Sequence, residues 1–260
     1  MQTLNDESMI LDMFREVKSK EIVPLGNFLE CKKIHLALTG VLNRKEWINS
    51  SGKSDPPPDF YDSKHKLMMD VMRIDDHAYI DSKGRIQNKT LQREGQILKE
   101  INQPERDDIK LFIVGDTKLP TNEDHNFDRY YKNFERVFKE HESKIDLYKS
   151  NHPGYKTIFF ICDESTAYVE VLNSDDVCKE KHQGDLTLAK PHIFCLDRKF
   201  MKIIKESKVD YVIWYAPWKL LQSIEKGIFP LPKGAIIDVK NLTDKKLIDY
   251  NHSMMISSEE

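Results

Sequence analysis

Two aspartates in the N-terminal half of the chain have the surroundings of a cation site. Asp59 follows Pro58, and ten residues separate it from Asp70, which stands in the middle of an apolar run. An ionised carboxylate inside such a run needs a hydrogen-bonding partner, a counter-charge or a metal ion. Two neighbouring carboxylates repel one another unless a divalent cation lies between them, and oxygen ligands of this kind suit Mg²⁺ or Mn²⁺. The pair therefore predicts a magnesium or manganese site.

A β-hairpin would bring the two aspartates together. Residues 59–62 and 66–74 have the composition of strands, and the polar residues between them suit a turn. Because side chains alternate along a strand, Asp70 should share its face with Met68 and Met72, and Val71 should face the other way. Pairing of the two strands would then place Asp59 beside Asp70.

Helices and a further strand are predicted on either side of this hairpin. A helix over residues 27–42 precedes it and carries Glu30, and Glu46 is a rival acid shortly afterwards. A helix over 90–101 and an apolar strand over 109–115 follow it. The order of these elements is therefore helix, hairpin, helix and strand.

In this order and in its acids, the segment resembles the PD-(D/E)xK nuclease superfamily. The resemblance covers about residues 27–115 and rests on Pro58-Asp59 and on Asp70-Val71-Met72. It implies a restriction-endonuclease-like core and metal-dependent hydrolysis of phosphodiester bonds, in DNA rather than RNA. It further implies that Asp59 and Asp70 bind the metal, with the Val71 carbonyl as a third ligand and Glu30 contributing directly or through a water.

The lysine of that motif is absent, because its position is occupied by Met72. Arg73 is adjacent but belongs to the opposite face of the strand. Some members of the family carry the cation on the following helix, where this chain has Arg93 and Lys99. On the same helix, Gln96 resembles the glutamine of the recombination-exonuclease branch. Three interpretations stay open: a relocated cation, a non-catalytic binding protein with a nuclease fold from a mobile element or defence system, or an unrelated α/β protein.

Other acids offer alternative interpretations. Asp75-Asp76-His77 could hold an ion or cap a turn, and Asp70 could simply pair with a nearby cation. Asp116 and Asp163 follow apolar strands, where acids often line a small-molecule crevice. Asp238-Val239-Lys240 is a literal Asp-x-Lys, but it lacks an upstream Pro-Asp partner.

Composition limits the class of protein. The chain has 260 residues, of which 39% are hydrophobic and 32% charged, as expected of a globular domain. Its 40 basic and 43 acidic residues give a net charge of −3, so a nucleic-acid surface would have to be local. We find no signal peptide, no apolar run of about 18 residues and no paired cysteines, and we expect a cytoplasmic protein without a membrane segment.

The whole chain has the pattern of an α/β protein with a mixed central sheet flanked by helices. Further helices are predicted over 5–20, 127–148 and 197–207, and further strands over 156–162, 167–172, 192–196, 210–215 and 234–239. The 167–172 strand is expected to pair with the 156–162 strand, and the last dozen residues are expected to be mobile. We expect a single domain, within which a nuclease-like core (20–120) and a C-terminal α/β extension (121–260) are an alternative division. An aromatic stripe on the 127–148 helix suits a core face or a homodimer contact. Nucleotide-binding glycine motifs and a hydrolase nucleophile elbow are absent.

Overall fold

A seven-stranded sheet runs through the computed structural model, which describes residues 7–40, 43–50, 57–101, 119, 125–172, 188–223, 227–229 and 231–258. Within these ranges the strands are β1 (Ile22–Leu25), β2 (Trp47–Asn49), β3 (Phe60–Asp62), β4 (Leu67–Ile74), β5 (Tyr79–Ile80), β6 (Ile86–Gln87), β7 (Lys156–Asp163), β8 (Tyr168–Val171), β9 (Ala189–Pro191), β10 (Tyr211–Tyr215), β11 (Leu221–Ser223), β12 (Gly227–Phe229), β13 (Gly234–Asp238) and β14 (Met255–Ser257). The helices are α1 (Glu7–Arg15), α2 (Phe28–Thr39), α3 (Lys89–Ile101), α4 (Phe127–Glu142), α5 (Ile145–Asn151) and α6 (Arg198–Lys205).

The large sheet has the strand order β1-β13-β10-β7-β4-β3-β2. Strands β2, β3 and β4 form an antiparallel meander, and β4 then pairs in parallel with β7 along its whole length. Strand β10 is parallel to β7 and antiparallel to β13, which is parallel to β1. The predicted mixed α/β class is therefore confirmed. The sheet takes strands from both the 20–120 and the 121–260 parts of the chain.

Each face of the sheet is covered by its own apolar core. On one face, α4, α5 and α6 bury their aromatic side chains, among them Phe134, Tyr148 and Phe200. On the other face, α1 and α2 pack through residues such as Phe14 and Leu38. Met68 and Met72 of β4 belong to the first core and Met69 and Val71 to the second, which confirms the predicted alternation.

The helix predicted over 127–148 is two helices. Helix α4 ends at Glu142 and α5 begins at Ile145. Ser143 stands at the break, where its Oγ donates to the Glu140 carbonyl at 2.6 Å and its N–H donates to the Lys139 carbonyl at 3.0 Å. A serine hydroxyl that binds a main-chain carbonyl competes with helix continuation, which accounts for the break.

Two strand predictions in the C-terminal half were wrong. Strand β8 does not pair with β7, because β4 and β10 already occupy both edges of β7; it pairs with β9 and β14 in a separate sheet. Residues Phe194–Leu196 form a short 3₁₀ turn instead of a strand, immediately before Asp197 caps α6 by accepting from the Lys199 N–H at 2.8 Å.

Eight strands of the described ranges were not foreseen: β1, β2, β5, β6, β9, β11, β12 and β14. Strand β1 contains Pro24, which is tolerated because β1 lies at the edge of the sheet. The last dozen residues, expected to be mobile, contain β14. The predicted strand at 109–115 and Asp116 lie outside the described residues. None of the helices in the described ranges is long and apolar enough to cross a bilayer.

Candidate active site

The β3–β4 hairpin brings Asp59 and Asp70 together. Phe60 stands opposite Met69, so the residue before β3 reaches the level of Asp70. The two carboxyl groups are close enough for the charge of Asp70 to raise the pKa of Asp59. The Oδ2 of Asp59 also accepts the N–H of Val71 at 2.7 Å, and Asp70 is only 4% exposed. The pair predicted from the sequence is therefore a buried carboxyl pair on the sheet.

The electrostatics of this pair are those of two acids that cannot both ionise. Burial raises the pKa of Asp59, the negative charges of Asp70 and Glu7 raise it further, and together they bring it to about 8. At neutral pH Asp59 therefore keeps its proton in the metal-free protein.

Asp70 is also held from the opposite helices. Its Oδ2 is 2.5 Å from Nδ1 of His141, at the end of α4, and it accepts the hydroxyl of Tyr148, on α5, at 2.7 Å. Burial and the charge of Asp70 raise the pKa of Tyr148, so its hydroxyl stays a donor. These two contacts on one oxygen fix the orientation of Asp70.

The stripe of α4 explains how His141 reaches this place. Tyr130, Phe134, Phe138 and His141 recur at helical spacing and lie on the face that packs on the sheet. The rings of Phe138 and Phe159 are 5.3 Å apart between centroids, and Phe159 is the β7 residue that stands beside Asp70. His141 is thus the last position of the stripe. It contacts Asp70, the polar side chain that lies between Met68 and Met72 on this face of β4.

Hydrogen bonds from two other elements fix the segment that carries Asp59. The N–H of Ser50, which follows β2, donates to the Asp59 carbonyl at 2.8 Å, and its Oγ donates to the Pro58 carbonyl at 2.5 Å. Asn151, the last residue of α5, donates from Nδ2 to the Pro57 carbonyl at 2.8 Å. The segment that carries Asp59 is therefore held between α5 and the residue after β2.

A cleft opens beside the pair because β3 is shorter than β4. Strand β3 begins at Phe60, so β4 extends past it from Asp70 onward. The walls of the cleft include Glu7, Val71, Arg73, Glu140 and His141. His141 connects the pair to the cleft, since it contacts Asp70 and also lines the wall. A substrate in this cleft would meet two acids, Glu7 and Glu140, with the guanidinium of Arg73 and the imidazole of His141.

The donor set fits a hard divalent cation. Carboxylate oxygens of Asp59 and Asp70 would be its charged ligands, and the shared burial of two acids is the electrostatic situation that a cation relieves. The Val71 carbonyl points to the same side of β4 as the N–H that Asp59 binds, so it is available as a third oxygen.

Within the described residues, neither Glu30 nor Gln96 lines the cleft. Glu30 binds Lys33 at 2.6 Å and the Tyr211 hydroxyl at 3.0 Å, and it lies 3.7 Å from Lys156. Lys156 is the first residue of β7, about 10 Å along the strand from the residue beside Asp70. Gln96 is exposed on α3, where its Oε1 accepts from Arg93 at 3.1 Å.

The positions around the missing lysine supply no replacement. Met72 is 2% exposed and belongs to the core under α4. Arg73 reaches the cleft wall, but its guanidinium binds both carboxylate oxygens of Glu164, at 2.6 and 2.7 Å. His141 is therefore the cationisable side chain of the cleft that also touches the carboxyl pair.

The other predicted acids belong to structural networks. Asp163 is fully buried and accepts the hydroxyl of Tyr130 at 2.5 Å and the indole N–H of Trp214 at 2.9 Å, while Lys219 lies 3.4 Å away. Asp238 is 4% exposed and accepts from Asn241 at 2.7 Å. Neither lies on the cleft described above.

Three residues of the site were not found from the sequence: Glu7, His141 and Tyr148. His141 and Tyr148 are more than 70 positions from Asp70, and no local motif links them to it. The available signal was the aromatic stripe, which continues through His141 and, seven positions later, Tyr148. An apolar helix face that ends in a histidine, together with a buried strand that carries one acid, predicts a contact such as that between His141 and Asp70.

No family model, curated protein or solved structure matches this chain. A function for this protein must therefore be inferred from the chemistry of the site.

Proposed function

We propose that this protein is a Mg²⁺- or Mn²⁺-dependent phosphodiesterase of the nuclease type, acting on DNA rather than RNA. The observation that carries the proposal is the buried Asp59–Asp70 carboxyl pair at the open edge of β4. Paired carboxylates on a hairpin, next to a cleft, are the oxygen ligands that such a cation uses in phosphoryl chemistry.

The chain topology around the pair supports the proposal. The resemblance to PD-(D/E)xK nucleases implies a helix, a hairpin, a second helix and a strand. Helix α2, the β3–β4 hairpin, α4 and β7 occur in that order, with β7 parallel to β4, although β2 precedes the hairpin and β5, β6, α3 and α5 lie between the hairpin and β7. The second helix and strand are thus assigned to α4 and β7 instead of the 90–101 and 109–115 segments expected from the sequence.

Each side chain of the site has a defined task in this account. A bound divalent cation would polarise a phosphodiester and lower the pKa of its water. Asp59 and Asp70 hold the cation, and Glu7 is the acid of the first helix that faces the same cleft. Asp70, which Tyr148 orients, fixes the position of His141. His141 transfers a proton at its imidazole in place of the missing lysine.

A second candidate is a non-catalytic protein that binds nucleic acid through the same fold. It is favoured by the burial of Met72 and by the engagement of Arg73 with Glu164, which leave the motif without its usual cation. In this case the carboxyl pair would bind metal, but no bond would be cut.

A cleavage assay separates the two candidates. Labelled single- and double-stranded DNA and RNA are incubated with Mg²⁺ or Mn²⁺ and with the wild type, Asp70→Asn or Asp238→Asn. The control is matched, because Asp70 and Asp238 are both 4% exposed and lie on strands of the same sheet. We expect metal-dependent cutting by the wild type and the control and none by Asp70→Asn. Cutting that survives Asp70→Asn refutes the proposal, and metal binding without any cutting favours the second candidate.

A further inference from the structure

A second polar cluster lies where β4 ends and α4 begins. Asp76 follows β4 and is fully buried, His77 is its neighbour, and His125 precedes the Asn126 cap of α4. Nδ1 of His125 is 3.1 Å from Oδ2 of Asp76, and Nδ1 of His77 is 3.5 Å from Oδ1. The two imidazole rings are 5.2 Å apart between centroids. One ligand atom from each of the three residues falls within 4.8 Å of the others.

The two oxygens of Asp76 are unequal. Oδ2 accepts the hydroxyl of Tyr168 at 2.5 Å and the N–H of Thr166 at 3.3 Å. Oδ1 is buried and accepts no hydrogen bond from any residue in the described ranges. A buried carboxylate oxygen is normally satisfied, so this one needs an explanation such as an ion.

Asp75 holds the loop that carries the cluster. Its Oδ1 accepts the N–H groups of His77 at 3.1 Å and Ala78 at 2.9 Å, and the side-chain amide of Asn133, on α4, at 3.2 Å. The turn is thereby fixed both internally and to α4, so the positions of Asp76 and His77 are set before any ligand arrives.

A similar cluster elsewhere shows what a purely structural arrangement looks like. Asp197 is also fully buried and also meets two histidines, with His192 at 2.9 Å and His252 at 2.8 Å from the same oxygen, Oδ2. Its Oδ1 accepts the N–H of Lys199 as the cap of α6. Both oxygens of Asp197 are therefore used by the protein, whereas Asp76 keeps Oδ1 toward His77.

We propose that Asp76, His77 and His125 bind a divalent transition metal, with Zn²⁺ the preferred ion. Two imidazole nitrogens and one carboxylate oxygen are a ligand set of zinc sites, and they suit this ion better than Mg²⁺, which prefers oxygen alone. The His77 and His125 side chains are 17% and 14% exposed, so the fourth position faces solvent. Tyr168 and Thr166 orient the carboxylate from outside the ligand set.

This site is distinct from the Asp59–Asp70 pair and goes beyond the function proposed for it. Its metal ties the end of β4 to the beginning of α4, the helix that delivers His141 to the cleft. The ion would therefore hold the frame of the cleft without touching its chemistry.

Metal titration of the full-length chain, freed of metal by a chelator, tests the proposal. Zn²⁺ binding is followed by calorimetry, and Co²⁺ is used as a visible-light probe of a tetrahedral site with nitrogen ligands. The variants are His77→Gln, His125→Gln and Tyr168→Phe, with His252→Gln as the matched control, since His125 and His252 are both 14% exposed beside a buried aspartate. Asp70→Asn reports on the other site, and circular dichroism checks the fold of every variant.

We expect one equivalent of Zn²⁺ that depends on His77 and His125, with the Co²⁺ spectrum of a tetrahedral site, in the wild type, His252→Gln and Asp70→Asn. Affinity should fall at least tenfold in His77→Gln and His125→Gln, and by about tenfold in Tyr168→Phe, which removes only the hydrogen bond that orients Asp76. The proposal is overturned if the wild type binds no stoichiometric Zn²⁺, if folded His125→Gln binds as tightly as the wild type, or if Asp70→Asn abolishes the binding.

Discussion

Replacing Asp59 with asparagine should make the metal-free protein more stable at pH 8 and leave it almost unchanged at pH 4. Asparagine keeps the size of the side chain and an oxygen that can accept the Val71 N–H. It removes the negative charge that burial and Asp70 oppose. The substitution therefore tests the electrostatics of the pair with little change in packing.

The magnitude follows from the pKa of Asp59, which rises from 3.8 to about 8 on folding. A difference of about 4 units at about 1.4 kcal/mol each sets an upper limit of about 6 kcal/mol. Asp59 is partly exposed and shares its charge with Asp70, so we expect about half of this limit, roughly 3 kcal/mol. Because the folded protein holds this proton more tightly than the unfolded chain, the contribution is complete below about pH 4 and is lost as the pH rises toward 8.

Urea unfolding at pH 4, 6 and 8 in the presence of a chelator measures this effect. The quantity compared is the free energy of unfolding of Asp59→Asn minus that of the wild type, so that groups common to both cancel. The difference should increase steadily with pH, while Asp238→Asn shows no such trend. A difference that is flat between pH 4 and 8, or that decreases, would refute the electrostatic account of the pair.

Three further substitutions test the site and the core beneath it. His141→Gln should slow metal-dependent cleavage in single-turnover assays by about two orders of magnitude, the lower range for a lost acid–base group, with metal affinity retained. Lys219→Met should cost about 3–5 kcal/mol in urea unfolding, because the buried charge of Asp163 loses the ammonium 3.4 Å away. Phe134→Ala should cost about 3–5 kcal/mol in the same assay, because it opens a cavity under the indole of Trp214, whose centroid is 4.9 Å from that of Phe134.

Three matched substitutions serve as controls for these variants. His252→Gln removes an imidazole that does not line the cleft. Lys132→Met and Phe28→Ala remove the same kinds of side chain as Lys219→Met and Phe134→Ala, from exposed positions. Lys132 is 70% exposed in a surface ion pair and Phe28 is 61% exposed, so their loss should change stability little. Cleavage by His141→Gln at the wild-type rate would show that His141 takes no part in the reaction. An unchanged free energy of unfolding in Lys219→Met would show that Asp163 does not need its counter-charge.

The hairpin and its aspartates were predictable because their information is local. Ten residues separate Asp59 from Asp70, and the period-two pattern of β4 fixes which side chains face which core. The short turn between β3 and β4 then allows one pairing register, in which Asp59 lies beside Asp70. The same reasoning predicted the neighbouring strands β7, β10 and β13 from their apolar runs.

The remaining contacts depend on long-range packing that no short segment specifies. Glu30 was selected as the helix acid because it precedes the hairpin, yet α2 packs on the face of the sheet opposite to α4 and turns Glu30 toward Lys156. Helix α1, which preceded the predicted motif order altogether, carries Glu7 to the cleft instead. Strand β8 was assigned to the wrong sheet for a related reason, since only the full strand order shows that both edges of β7 are taken.

The central claim is that Asp59 and Asp70 hold one divalent cation, and calorimetric titration of Mn²⁺ into the wild type and Asp70→Asn tests it most directly. The titration is performed on the His125→Gln background, so that the separate histidine cluster does not contribute. We expect one Mn²⁺ to bind to the protein that carries His125→Gln alone, and none to bind when Asp70→Asn is added. Circular dichroism checks the fold of both proteins. Equal Mn²⁺ binding by the two proteins, or no binding by either, would contradict it and would make the carboxyl pair a structural feature of the hairpin.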